Sequence, residues 1–386
     1  MKIIPYGRQN INQADINAVV DVLKSDFLTQ GPVVPRFEKR VAEYTGAKHS
    51  IAVNSATSAL HIACLALEVG PGDYVWTSPI TFVASANCAL YCGASVDFVD
   101  IDPETYNMSV EALEQKLVEA QKHDKLPKVV IPVHLTGQSC DMAGIHALSK
   151  IYGFKIVEDA SHAIGAKYLD KPVGACPFSD ITVFSFHPVK IITTAEGGLA
   201  TTNDDILAEK MRLLRSHGIT RNSAEMSKAP DGPWYYEQIA LGFNYRMTEL
   251  QAALGLSQMD RLDEFVHRRH QIFRQYLENL THPGLQLPLQ HSDTYSSLHL
   301  FILRIKRPQA SEARLALYKA LQDASIAPNL HYMPVYLQPY YQKLGFVRGA
   351  CPNAEAFYDE AISIPIYFDL LDDEVGYICK TILNEL

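Results

Sequence analysis

The sequence predicts an α/β protein: a mostly parallel seven-stranded sheet with helices on both faces, then a small C-terminal α+β part. Three observations predict it. Short β-branched runs alternate with helical patterns through the first 245 of 386 residues. Several of these runs are continuously apolar rather than alternating, as strands covered on both faces require. The connections between them are long, which favours parallel pairing. After about residue 245 the pattern changes, and the chain divides into a large part, 1–250, and a small one, 251–386.

The elements follow in order. Ile16, Val19, Val20 and Leu23 keep helical spacing, and Asn12 can cap that helix. Val34, Phe37, Val41 and Tyr44 form a second stripe, ended by Gly46. A helix over 57–68 is stopped by Gly70 and Pro71. Strands are expected at 50–53, 73–77, 95–99, 128–133, 155–158, 180–185 and 199–202. A long helix should run over 248–280, followed by a Pro- and His-containing connection. A strand at 297–305, a helix at 311–324, a strand or loop at 328–333 and a helix after Asp372 complete the chain.

Composition narrows the function. Apolar residues at 47 % and charged residues at 20 % are globular values and exclude a disordered or fibrous chain. A net charge of −9 argues against a non-specific nucleic-acid binder, though not against a local anion site. Seven cysteines without Cys-x-x-Cys spacing read as buried, reduced thiols of a cytoplasmic protein. The N-terminus lacks a signal-peptide core, and no run of about 18 apolar residues predicts a membrane span.

Ligands of open parallel sheets collect at the carboxyl ends of the strands. After strand 50–53 come Asn54, Ser55, Ala56 and Thr57, small and hydroxyl residues that open a helix and form an anion site. Alone, this is an ordinary N-cap. After strand 155–158 comes Asp159, a costly strand-tip carboxylate unless a metal, an arginine or a protonated ring nitrogen partners it. After strand 180–185 comes Lys190, with no adjacent acid; it suits a lysine of depressed pKa and is a Schiff-base candidate. Singly, such a lysine is a solvated charge. Together the three match what pyridoxal phosphate needs: a phosphate grip, a partner for the ring nitrogen and a lysine for the aldehyde. His134, His162, His187 and His217 lack metal-ligand spacing, so no metal is expected.

The sequence resembles the DegT/DnrJ/EryC1/StrS sugar aminotransferases, of pyridoxal-phosphate fold type I. The likeness runs through Thr29-Gln30-Gly31-Pro32, Asn54-Ser55-Ala56-Thr57, Glu158-Asp159-Ala160-Ser161-His162, Ser185-Phe186-His187, Glu196-Gly197-Gly198, Gly242-Phe243-Asn244-Tyr245-Arg246-Met247 and His331-Tyr332-Met333-Pro334. It covers essentially the whole chain, in order. The resemblance implies that Lys190 is the Schiff-base lysine and catalytic base, and that Asp159 partners the pyridine nitrogen. It implies that His162 contacts the ring hydroxyl, that Ala56, Thr57 and Ser185 hold the phosphate, and that Phe82 stacks on the ring. Asn244 would reach the phosphate from the second subunit of a homodimer with shared sites. Tyr6, Thr29, His331 and Tyr332 are candidates around the substrate. Ala195 stands where many relatives have glycine.

Within the family the chain looks most like the branch that aminates C4 of a UDP-linked 4-keto-6-deoxy-N-acetylhexosamine, with L-glutamate as donor, toward pseudaminic acid. Another nucleotide-linked keto-deoxy sugar is the alternative substrate. A regulatory, DNA-binding role is the non-enzyme alternative, against which the acidic balance counts.

Overall fold

The computed structural model describes residues 3–386. Two helices, α1 (Gln13–Leu23) and α2 (Val33–Thr45), precede the sheet. Asn12 and Asp15 cap α1 reciprocally. The expected apolar stripe of α1 does not face the core: Ile16 and Leu23 are exposed, while Asp15 and Val22 are buried. The reason is polar. The Asp15 carboxylate accepts bonds from Arg261, Gln258 and Ser257, which turns that face of α1 inward. In α2, Val34, Phe37 and Val41 are buried and Gly46 ends the helix at φ +78°, a conformation that glycine adopts without a Cβ penalty.

Next come β1 (His49–Val53), α3 (Ala56–Ala66), β2 (Tyr74–Thr77), α4 (Ala84–Tyr91) and β3 (Ser95–Phe98). They are followed by α5 (Val110–Gln121), β4 (Val129–Ile131), α6 (Met142–Tyr152) and β5 (Lys155–Asp159). A short hairpin, β6 (Lys167–Tyr168) and β7 (Lys171–Pro172), precedes β8 (Ile181–Ser185), β9 (Gly198–Thr202) and α7 (Asp205–Arg215). All seven expected strands join one sheet, in the order β1-β9-β8-β5-β4-β2-β3. Only β9 runs against the others. Register in the centre pairs Val157 with Ile181 and Val75 with Val129. Every residue of β4 and β8 is buried, as two covered faces require.

The helix expected over 248–280 is two helices, α8 (Glu249–Met259) and α9 (Leu262–Asn279). The break falls at Asp260 and Arg261, where the Arg261 guanidinium is drawn to Asn10 and Asp15. Met259, Leu262 and Phe265 pack with α2 and the face of β8 and β9, whereas Ile272, Phe273 and Tyr276 pack with a second apolar cluster. That cluster is built on a small antiparallel sheet of Leu285–Gln286, Phe301–Ile305 and Ala361–Ile364, with helices Ala310–Asp323 and Asp372–Glu385 against it. Regular pairing begins at Phe301 rather than 297, because His299 N–H donates instead to the Thr136 carbonyl at 2.7 Å. Residues 328–333 form no strand; Asn329 makes a single bridge to Ser363.

Candidate active site

The carboxyl ends of β5 and β8 and the N-terminus of α3 meet at one place. Asp159 is the last residue of β5 and is buried. A carboxylate there needs donors. Ser85 Oγ, from the first turn of α4, donates to Oδ2 at 2.6 Å. Ser161 donates to Oδ1 through its amide at 3.1 Å and its hydroxyl at 2.5 Å. Three donors leave acceptor capacity for one more.

Lys190 lies in the turn beyond β8 and is half-buried. Burial drives its ammonium down to a pKa of about 8, against the pull of the Asp159 charge. Near neutral pH an appreciable share of this amine is unprotonated, the form that adds to a carbonyl or removes a proton. In the same turn Ala195 holds φ +66°, the left-handed region where glycine is unstrained and an L-residue costs energy. The conformation accounts for the glycine of many relatives, and the alanine pays that strain without changing the chemistry on offer.

Ala56 and Thr57 head α3, so their amides lack intrahelical acceptors. Ser55 caps the helix by accepting from Ser58 N–H at 3.1 Å. Ser185, last in β8, is paired with Gly198. A Cβ on Gly198 would overlap Ala56 N and the Ser55 carbonyl carbon. The glycine therefore allows β9, which pairs with Ser185 of β8, to approach the α3 N-terminus, where free amides and the helix dipole favour an anion.

Three imidazoles surround this centre. His162 is buried, with Nε2 3.5 Å from the Tyr332 hydroxyl and Nδ1 buried without a partner. Burial, then the charge of Lys190, push its pKa well below the ordinary range. His331 bonds Ser363 Oγ through Nδ1 at 2.8 Å, and its ring lies 5.3 Å from that of Tyr6. Burial and Lys190 take it down to about 3. His299, whose ring is 4.4 Å from His162, is shifted down by burial and then by His162 and Lys190. All three rings are neutral near pH 7. Burial also raises the Tyr332 phenol above its ordinary range.

Phe82 is 61 % exposed, so it is no core aromatic. Its carbonyl accepts from Ser85 N–H at 3.2 Å, so its backbone lies one turn before the Asp159 donor. Tyr6, His331 and Tyr332 join the cluster. Thr29 and Asn244 do not: both are exposed. Thr29 bridges Thr248, and Asn244 bridges Ser216, its carbonyl 3.5 Å from Asn54 Nδ2. Sequence reasoning missed Ser85 and His299. A hydroxyl in the first turn after β2 was a usable signal for Ser85. Nothing local marked His299, which arrives from the C-terminal part of the chain.

This geometry has known counterparts. The model of the DegT/DnrJ/EryC1/StrS aminotransferase family matches residues 9–383. The chain belongs to the DegT/DnrJ/EryC1/StrS aminotransferase family. It is similar to the spore coat polysaccharide biosynthesis protein SpsC of Bacillus subtilis strain 168, 39 % identical over 382 residues, 98 % of this chain and 96 % of that protein. It is 36 % identical over 386 residues, 100 % of this chain and 98 % of the other, to the UDP-4-amino-4,6-dideoxy-N-acetyl-beta-L-altrosamine transaminase of Campylobacter jejuni strain 81-176. Among solved structures it resembles Helicobacter pylori PseC, an aminotransferase involved in pseudaminic acid biosynthesis (TM-score 0.90, 32 % identity, 100 % and 99 % of the two chains). It also resembles the PLP-form of the putative sugar aminotransferase Spr1654 from Streptococcus pneumoniae (TM-score 0.89, 33 %, 99 % and 98 %).

The protein is therefore a pyridoxal-phosphate-dependent sugar aminotransferase. The residues present fit that cofactor. The unpartnered His162 Nδ1, the spare acceptor capacity of Asp159, the anion-favouring α3 N-terminus and the neutral fraction of Lys190 each answer one of its functional groups. Among the described residues no helix is long and apolar enough to cross a membrane, and no group of His, Cys, Asp or Glu could hold a metal.

Proposed function

We propose that the enzyme moves the amino group of L-glutamate to C4 of a UDP-4-keto-6-deoxy-N-acetylhexosamine of the altrosamine series, in pseudaminic acid biosynthesis, by a ping-pong mechanism. The observation that carries the amino transfer is Lys190, half-buried, with its pKa lowered to about 8 and under the influence of the Asp159 charge. The sugar rests on the altrosamine transaminase and PseC among the relatives.

The bound cofactor supplies an electron sink and a carrier for the amino group. Asp159 holds a proton on its ring nitrogen, and Ser85 and Ser161 keep that carboxylate in place. His162 offers Nδ1 to the ring hydroxyl. Ala56, Thr57 and Ser185 take the phosphate, and Phe82 covers one ring face. Lys190 removes the Cα proton of glutamate and, in the second half-reaction, delivers a proton to C4 of the sugar. Burial makes His162, His299 and His331 weak proton acceptors, which leaves Lys190 as the base of the site. Tyr6, His331 and Tyr332 line the side open to the sugar.

A homodimer completes the site. Asn244 is exposed, and among the described residues its side-chain amide makes no hydrogen bond, which leaves it available to a neighbouring chain. Trp234 and Leu241, on the same loop, are exposed apolar side chains that a second copy would cover. All seven cysteines are free and buried, which supports a reducing, cytoplasmic setting.

The test is incubation with a panel of 4-keto-6-deoxy sugar nucleotides and glutamate, with products identified by mass and NMR. The altrosamine-series ketone should be aminated at C4, with parallel double-reciprocal plots. Amination of another sugar only, or intersecting lines, would overturn the corresponding part of the proposal. The spore-coat relative favours a different nucleotide-linked sugar as the second reading, and the same panel decides it. Lys190→Ala should abolish turnover and leave the fold intact.

A further inference from the structure

Directly behind Asp159, on the opposite face of β5, lies a second buried carboxylate. Successive strand residues point to opposite faces, so Glu158 is directed away from the cofactor side. It is buried and fully bonded. His134 Nε2 lies 2.7 Å from Oε2. Thr182, its cross-strand partner on β8, donates to Oε1 at 2.9 Å, and Ser179 Oγ donates to the same oxygen. Burial opposes its ionisation, but His134, Ser179 and Thr182 outweigh that, and Glu158 sits below the ordinary carboxyl range. A further titratable neighbour is the Cys176 thiol, pushed up to about 11 by burial and by this charge.

His134 is held from both sides. Burial opposes a charge on its ring while the neighbouring Glu158 favours one. The local state is decided by the Cys140 amide, which donates to Nδ1 at 3.1 Å. A nitrogen that accepts carries no proton, so the ring is neutral and donates through Nε2 to Glu158. The backbone of the same residue finishes the strand: His134 N–H donates to the Asp159 carbonyl at 3.0 Å, beyond the end of β4. One residue thus grips Glu158 with its side chain and Asp159 with its main chain. A buried, ionised carboxylate bonded only to neutral groups is costly. The reaction makes no direct use of it.

We propose that Glu158 and His134 are a positioning pair for Asp159, locking the tip of β5 so that the Asp159 carboxylate is held at the cofactor ring nitrogen. The inference rests on the reading of Asp159 given above. Ser85 and Ser161 orient the Asp159 side chain; Glu158 and His134 fix the backbone that carries it. Losing either member frees the last rung of the strand while the Ser85 and Ser161 bonds remain.

The test uses the full-length protein with pyridoxal phosphate as probe and needs no turnover. Two quantities are read: the dissociation constant by fluorescence titration, and the pH at which the near-violet band of the reconstituted protein titrates. Glu158→Ala and His134→Ala should each weaken cofactor binding about tenfold, the scale of loss when a group orienting a ligand-holding side chain is removed, and should shift the titration. Glu158→Gln and His134→Gln keep a hydrogen-bonding group in place and should recover both readings to within about threefold of the parent. Should the alanine variants not fold, Glu158→Met and His134→Met, which fill the space without the hydrogen bond, carry the test and should show the same loss. Parent-like affinity and titration in every folded alanine or methionine variant would overturn the inference while leaving Asp159 in its role if Asp159→Asn moves both readings. If Asp159→Asn moves neither, the role of Asp159 falls and the inference falls with it.

Discussion

The depressed pKa of Lys190 yields a measurable profile in the cofactor-free protein. The perturbation is pH. With a pKa of about 8 in place of the ordinary 10.5, about 9 % of the Lys190 amine is neutral at pH 7, against about 0.03 % for an unperturbed lysine. That is roughly a 300-fold difference in the reactive form. The sign follows from the cause: burial penalises the charged form, so the neutral form dominates above about pH 8. A less basic amine is intrinsically slower, so the midpoint of the profile is the observable rather than the absolute rate. The assay is competitive labelling with acetic anhydride from pH 6 to 11, with the Lys190 peptide quantified by mass spectrometry beside peptides from exposed lysines such as Lys39. Labelling of Lys190 should rise tenfold per pH unit and level off above about pH 8. Because the Asp159 charge favours the ammonium, Asp159→Asn should move the midpoint lower still. A Lys190 midpoint in the ordinary lysine range near 10.4, or an upward shift in Asp159→Asn, would refute the reasoning.

Three further outcomes follow from the geometry. Ser85→Ala removes the bond to Asp159 Oδ2; bonds to charged groups contribute about 1.5–3 kcal/mol, so cofactor affinity, read by equilibrium dialysis, should fall at least tenfold. Gly198→Ala places a methyl on Ala56 N and the Ser55 carbonyl carbon and should weaken pyridoxal phosphate and free phosphate alike in isothermal titration; unchanged affinity for both would show that the contact is not part of the phosphate grip. Phe82 is 61 % exposed, so Phe82→Ala should change unfolding stability in urea by less than about 0.5 kcal/mol while slowing turnover; a large stability loss with normal turnover would make it a structural aromatic.

The two levels of information divided along physical lines. Sheet strands read well, because burial on both faces imposes continuous apolar runs, and all seven appear within a residue or two of their expected ends. The same holds for α2, whose stripe and terminal Gly46 are both local signals. Helix α1 read badly. Its apolar spacing was correct as a helix and wrong as a face, because the buried partner of Asp15 is Arg261, far along the chain. The break between α8 and α9 escaped for the same reason.

At the active site, Lys190 and Asp159 were legible from their place at strand ends, where a charge on an apolar run requires explanation. Ala56, Thr57 and Ser185 followed from the same rule together with family likeness. What the sequence alone determined was which chemical groups stand at the carboxyl ends of the strands, since chain order and strand direction place them there. Only the tertiary structure decided what surrounds them. Ser85 on Asp159, His299 against His162, and the His134–Glu158 pair beneath β5 join residues between 24 and 137 positions apart, and a pKa is set by such neighbours and by exclusion of water, neither of which a linear pattern contains.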